Sequence, residues 1–136
     1  MKSTPRILLA EDDPTHREVA LLLLATIGCR ADAVPDGTAA VQALQRTDYA
    51  LVLMDCQMPV MDGYEATRRI RDPRTGVRNP YLPIIGYTSI GSGAELEKCI
   101  QAGMDDCLPK PANTRTIAAA LSRWGICPTW QPEEGE

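Results

Sequence analysis

The chain has 136 residues, the length of one domain, and 44% of them are hydrophobic, enough for a core without disulfides or metals. Its net charge of −4 is too mild for a nucleic-acid binder and too acidic for a membrane-surface protein. With two Trp, four Tyr and no Phe, the core must be aliphatic.

Short aliphatic runs alternate with helical patterns. Arg6 to Ala10 (RILLA) reads as a buried strand. Pro14 suits the first turn of a helix, where its missing N–H is not needed. Thr15 to Ile27 continues that helix, and Gly28 stops it. Its apolar side is broad, from Val19 to Ala25, and predicts a largely buried helix. Arg30 to Val34 is a weak second strand, and Asp36-Gly37 is a turn. A helix over Thr38 to Arg46 turns Ala40, Val41 and Leu44 inward. Ala50 to Met54 (ALVLM) is the clearest buried strand. A loop with Pro59 and Asp62-Gly63 leads to a helix at Tyr64 to Arg71. Residues 72 to 82, with two prolines and a glycine, read as an extended surface loop. Pro83 to Tyr87 is the fourth strand. A Gly/Ser loop follows, then a helix over Ala94 to Ala102 ended by Gly103. Asp106 to Leu108 is a very short fifth strand. Asn113 caps a last helix that runs to Arg123.

Five strands alternating with five helices predict an α/β fold, an open parallel sheet with helices on both faces. Strands buried on both faces read as continuous aliphatic runs, as these do. No apolar run approaches the ~20 residues that span a bilayer, so no membrane insertion by this segment is expected. The N-terminus meets acidic residues too early for a signal peptide. The five cysteines (Cys29, Cys56, Cys99, Cys107, Cys127) include no C-x-x-C pair, and His16 is the one histidine. They read as small buried thiols in a reducing cytoplasm, the expected location.

In such sheets the site lies outside the carboxyl ends of the strands. Glu11, Asp12 and Asp13 follow the first strand, and Asp55 follows the third. Thr88 and Ser89 follow the fourth, and Lys110 lies between Pro109 and Pro111 after the fifth. Carboxylates gathered at one rim repel, and two remedies exist: raised pKa values or a bound divalent cation. Mg²⁺ accepts a few carboxylates, a carbonyl and waters in octahedral array. Lys110 adds a compact positive charge that can hold an oxyanion. Carboxylates, Mg²⁺, hydroxyl and lysine together suit phosphoryl transfer, in which one carboxylate attacks phosphorus.

The stretches EDDP (11–14), LVLMDCQMPVMDGYEATRRIR (51–71), YTS (87–89) and AGMDDCLPKP (102–111) resemble the receiver domain of two-component response regulators. The M-D-x-Q-M-P-x-M-D-G segment most resembles receivers attached to hybrid sensor histidine kinases. The resemblance covers residues 5–123, taken as the receiver domain, and leaves 124–136 as a C-terminal tail or linker stump. It implies a flavodoxin-like fold with strand order 2-1-3-4-5. It makes Asp55 the phosphoacceptor. Asp12, Asp55 and the main-chain carbonyl of Gln57 would ligate Mg²⁺, with Glu11 acting mostly through water. Thr88 would bond the transferred phosphoryl group, and Lys110 would pair with Asp55 and then with a phosphoryl oxygen. The Lys110–Pro111 bond would be cis. The implied function is a phosphorelay step in which a phosphohistidine on a histidine kinase or histidine phosphotransfer domain supplies the phosphoryl group. The domain itself would catalyse that transfer and a slow dephosphorylation. Direct nucleic-acid binding is not expected, because no output-domain pattern follows residue 123. Weak homodimerisation stays open.

Other assignments are blander. Asp13 reads as a cap for the Pro14 helix. Asp62-Gly63 reads as a turn and helix start with no chemistry. Arg68, Arg69, Arg71, Arg74 and Arg78 read as a solvated face, and His16 as exposed rather than a phosphohistidine. One position departs from the family pattern: Cys107 stands where receivers usually carry the Tyr or Phe whose ring moves with the Thr. That predicts a phosphoryl relay with little ring-driven switching. Gln57 and Ile90, two residues after Asp55 and Thr88, predict a long-lived phosphoryl group shielded by Ile90. The alternatives are a stand-alone single-domain regulator, a non-phosphorylated pseudo-receiver, a dehalogenase-type hydrolase and a flavin-binding domain. A pseudo-receiver would have lost an acidic ligand, Asp55 or Lys110. A dehalogenase-type hydrolase needs a second acid where Gln57 stands. A flavin site needs a hydroxyl-rich loop where Glu11-Asp12-Asp13 would repel phosphate.

Overall fold

The aliphatic runs form five strands: β1 (Arg6–Ala10), β2 (Arg30–Val34), β3 (Leu51–Asp55), β4 (Ile84–Thr88) and β5 (Asp106–Pro109). Between and after them run α1 (Pro14–Thr26), α2 (Gly37–Arg46), α3 (Gly63–Arg71), α4 (Gly93–Ala102) and α5 (Thr114–Arg123). The structure, a computed structural model, describes residues 6–88 and 93–126. All strands pair in parallel in the order β2-β1-β3-β4-β5, as expected.

Alternation along each strand divides the core into two layers. Leu8, Ala10, Val52, Met54 and Ile84 face α2, α3 and α4, where Val41, Leu44, Ile70 and Cys99 meet them. Ile7, Leu9, Leu51, Leu53, Ile85 and Tyr87 face α1 and α5, where Ala20, Leu24, Ile117 and Leu121 meet them. Each fully buried Leu or Ile contributes about 1.5–3 kcal/mol of transfer free energy, so the sheet is held from both sides. β2 is the least buried strand, in keeping with its place at the sheet edge and its weak apolar signal.

α1 departs from expectation. Only Ala20 and Leu24 are buried, while Val19 and Leu22 are 49% and 68% exposed. A helix lying on one sheet face buries one stripe of its circumference, and a continuous apolar run wraps all round it. The expected surface loop before β4 also carries more order than its prolines suggest. It holds a 3₁₀ turn at Pro73–Thr75 and buries Val77 and Leu82. Arg71 ties it down by donating to the carbonyls of Pro80, Leu82 and Gly103 and to the Asp105 carboxylate at 2.7–2.9 Å.

This topology selects one crevice. From β1 the chain turns outward to β2 and then crosses back to β3, so the carboxyl ends of β1 and β3 flank the switch point of the sheet. Glu11 and Asp55 stand there.

Candidate functional site

Glu11 continues β1 through its amide, which donates to the Val34 carbonyl at 3.0 Å. Its side chain is completely buried. Asp13 turns the other way and caps α1, accepting from the amides of Thr15 and His16 at 2.9 and 3.0 Å, as expected. Asp12, between them, is exposed at the rim. Asp55 is the last residue of β3 and only 5% exposed. Carboxylate oxygens of Glu11, Asp12 and Asp55 lie within 4.8 Å of one another. Lys110 arrives from β5, its amide donating to the Thr88 carbonyl at 2.7 Å, and its peptide bond to Pro111 is cis. Its ammonium bonds the Glu11 carboxylate and reaches the Asp55 Oδ2 at 3.3 Å. Thr88 is buried at the end of β4, while Gln57 is exposed and donates its amide to the Asp55 Oδ1 at 3.1 Å.

The electrostatics follow from this crowding. Burial, then the neighbouring Glu11, pushes the Asp55 carboxyl from its ordinary 3.8 up to about 7. Glu11 is also raised by burial, but hydrogen bonds with Asp55 and Lys110 outweigh that and leave it below its ordinary value. Burial pulls the Lys110 ammonium down, yet the two carboxylates more than restore it. Two carboxylates crowd one ammonium here and the Asp55 carboxyl is held toward its protonated form, a charge deficit that a bound cation would relieve.

The donor set suits a hard cation: carboxylate oxygens, with no sulfur or imidazole among the clustered ligands. Asp12 and Asp55 would supply carboxylate oxygens to such an ion, with Glu11 close enough to act through a bound water. A cavity of about 490 Å³ opens beside them, lined by Asp12, Gln57, Met58, Pro59, Tyr64 and Lys98 among others.

The loop from β3 to α3 starts its helix at Asp62-Gly63 as expected: Asp62 caps α3, accepting from the Glu65 amide at 2.8 Å. What the sequence did not show is how closely this loop sits on the site. Gly63 is there for space: a Cβ on it would stand 2.2 Å from the Asp55 carbonyl oxygen. Val60 has φ +70, held by a Met61 amide that donates to the Pro59 carbonyl at 2.7 Å. That is the uncommon form of γ-turn, and for a β-branched residue it stores strain. Tyr64 donates its hydroxyl to Glu95 at 2.7 Å, linking α3 to α4.

Among the basic residues, Arg68 and Arg69 pair with Glu65, Arg74 with Asp72 and Arg78 with Asp48, all at the surface as expected. Arg71 is the exception, turned inward onto Asp105. Cys29, Cys56 and Cys99 are buried thiols, and Cys107 is half-buried against the α2–α4 core layer. His16 is exposed as expected, at 53% for its side chain, yet its Nδ1 lies 3.4 Å from the Lys110 Nζ. Ser89, Ile90 and Cys127 lie outside the described residues. Among the described residues, no helix is long and apolar enough to cross a membrane.

Known proteins resemble this chain in sequence and fold. The sensor protein GacS of Pseudomonas syringae pv. syringae is 39% identical over 120 residues, which is 88% of this chain and 13% of GacS. The chain thus spans about an eighth of that relative's length. The crystal structure of the receiver domain of the sensor histidine kinase PA1611 from Pseudomonas aeruginosa PAO1 superposes with a TM-score of 0.80 at 40% identity. The match covers 90% of this chain and 98% of that one, and a magnesium ion is coordinated in the active-site cleft of PA1611. The receiver domain of Saccharomyces cerevisiae Ssk1, solved with the histidine phosphotransfer protein Ypd1, superposes at 0.81 with 25% identity, covering 90% and 89% of the two chains. A family model for the response regulator receiver domain matches residues 7–122, and this chain belongs to that family.

Proposed function

We propose that the chain accepts a phosphoryl group onto Asp55, in the presence of Mg²⁺, from a phosphohistidine on a histidine kinase or histidine phosphotransfer domain, and that it serves as the receiver of a hybrid sensor histidine kinase. The observation that carries this is the placing of Asp55, at the end of β3, against Lys110 and beside Glu11 and Asp12.

Asp12, Asp55 and the Gln57 main-chain carbonyl would hold the ion, with Glu11 behind them. When bound, Mg²⁺ supplies positive charge that keeps Asp55 ionised and offsets the phosphoryl oxygens. Asp55 provides the nucleophile: one carboxylate oxygen bonds to phosphorus as the P–N bond to the donor imidazole breaks, and the imidazole keeps that electron pair. Lys110, anchored on Glu11, stays beside the Asp55 carboxylate throughout and can turn one N–H to a phosphoryl oxygen. Thr88 lies at the end of the neighbouring strand, where its hydroxyl can bond the product. The donor has a ready approach across α1, where Val19 and Leu22 stand exposed and Val19 lines a cavity with Lys110.

Incubation with Mg²⁺ and phosphoramidate, read by intact mass, tests this. The parent chain gains one phosphoryl group and Asp55→Ala gains none. A parent chain left unmodified by phosphoramidate and by acetyl phosphate contradicts the reading.

A further inference from the structure

An ammonium group has three N–H donors and no acceptor. Around the Lys110 Nζ stand three acceptors: a Glu11 carboxylate oxygen, the Asp55 Oδ2 at 3.3 Å and the His16 Nδ1 at 3.4 Å. The first two belong to the acidic site. The third comes from α1 and has no place in the mechanism above.

His16 is well placed for this. Its backbone is fixed in the first turn of α1 by the Asp13 cap, the His16 amide donating at 3.0 Å. Its ring stands over a cleft of about 310 Å³ shared with Val19, Tyr87, Lys110, Pro111 and Ala112. The Tyr87 ring lines the same cleft, 5.0 Å from the Lys110 Nζ, a cation–π contact. Because Lys110 can only donate, a hydrogen bond between them requires the His16 Nδ1 as acceptor and the ring proton on Nε2. The Glu11 Oε1 is 3.6 Å from the same Nδ1, too far for a hydrogen bond.

We propose that His16 is a positioning residue for Lys110, resting on the phosphoacceptor reading above. When the phosphoryl group arrives, one N–H of Lys110 turns to a phosphoryl oxygen and another stays on Glu11. The bond to His16 keeps the ammonium from swinging out of the site while this exchange takes place. His16 therefore speeds phosphoryl transfer without holding the metal. Its exposure lets it do so without a structural cost.

The test compares the parent chain with His16→Leu, which removes the acceptor, and His16→Gln, which restores one. The rate of phosphoryl gain from phosphoramidate is measured at saturating Mg²⁺, and Mg²⁺ affinity is measured separately by NMR titration. His16→Leu should react roughly fivefold to tenfold more slowly. Its Mg²⁺ affinity and thermal midpoint should match the parent's, and His16→Gln should recover most of the rate. Nitrogen NMR of the parent ring should show the Nε2–H tautomer, and Lys110→Met should abolish that preference. A His16→Leu chain that reacts at the parent rate, or slows only in proportion to lost Mg²⁺ affinity, overturns the inference. A parent chain that takes up no phosphoryl group overturns the phosphoacceptor reading instead.

Discussion

Gly63 sits so close to Asp55 that a methyl group on it would stand 2.2 Å from the Asp55 carbonyl oxygen. The Gly63 amide also donates to the neighbouring Cys56 carbonyl at 3.1 Å. The start of α3 is therefore seated directly on the strand end that presents the reactive carboxylate.

Gly63→Ala must push α3 away from β3 or displace Asp55. Overpacking of this kind costs about 1–3 kcal/mol. The account predicts a lower thermal midpoint together with weaker Mg²⁺ binding, because the contact is with the backbone of a proposed ligand. Gly93→Ala, where an added Cβ meets nothing within 4 Å, serves as the control and should change neither.

Val60 tests the strain in the same loop. It is 86% exposed and held at φ +70. Val60→Gly removes almost no packing and relieves a conformation that costs a β-branched side chain about 1–2 kcal/mol, partly offset by the added freedom of Gly in the unfolded chain. A modest rise in the thermal midpoint is expected. A fall in the midpoint would show that the turn is not strained.

Much of this protein could be read from its sequence because aliphatic strands buried on both faces leave an unmistakable record. RILLA and LVLM carried it, and the strand-end rule then gathered Glu11, Asp12, Asp55 and Lys110 correctly at one rim. What could not be read depends on approach in space. Asp62-Gly63 gives the same turn signal whether or not a strand passes beneath it. The apolar run of α1 does not say which stripe meets the sheet, and Val19 and Leu22 fall outside it. The contact between His16 and Lys110 joins positions 94 apart, and a lone histidine after a helix cap carries no pattern pointing to it.

The pH dependence of stability follows from Asp55. In the folded chain its carboxyl is raised from 3.8 to about 7, so between those values the folded state holds a proton that the unfolded state has lost. Metal-free stability should therefore fall as pH rises from about 4 to about 7, by an amount on the order of a few kcal/mol. Glu11, held below its ordinary 4.5, acts the other way: it loses its stabilising effect only in more acidic solution, below that window. Asp55→Asn should flatten the decline between pH 5 and 7.5, and Mg²⁺ should stabilise the parent more at pH 7.5 than at pH 5. Denaturant unfolding across this range measures both. An equal slope in parent and Asp55→Asn would contradict the account.

Cys107 bears on output. It is half-buried beside the α2–α4 core layer and offers no ring to exchange between inward and outward positions. Amide NMR with and without beryllofluoride should show shifts concentrated at Asp55, Thr88 and Lys110, and small ones along the outer face of α4 at Leu96 and Ile100. Large shifts at Leu96 and Ile100 would show that the α4 surface switches without a ring.

The central claim is that Asp55 itself carries the phosphoryl group. Borohydride reduces an acyl phosphate to an alcohol, so treating the phosphorylated chain and mapping its peptides marks the modified aspartate as homoserine. The account predicts homoserine at position 55 alone, dependent on Mg²⁺. Homoserine at position 12 or 13, or none at position 55 in a chain that has gained the phosphoryl mass, would contradict it.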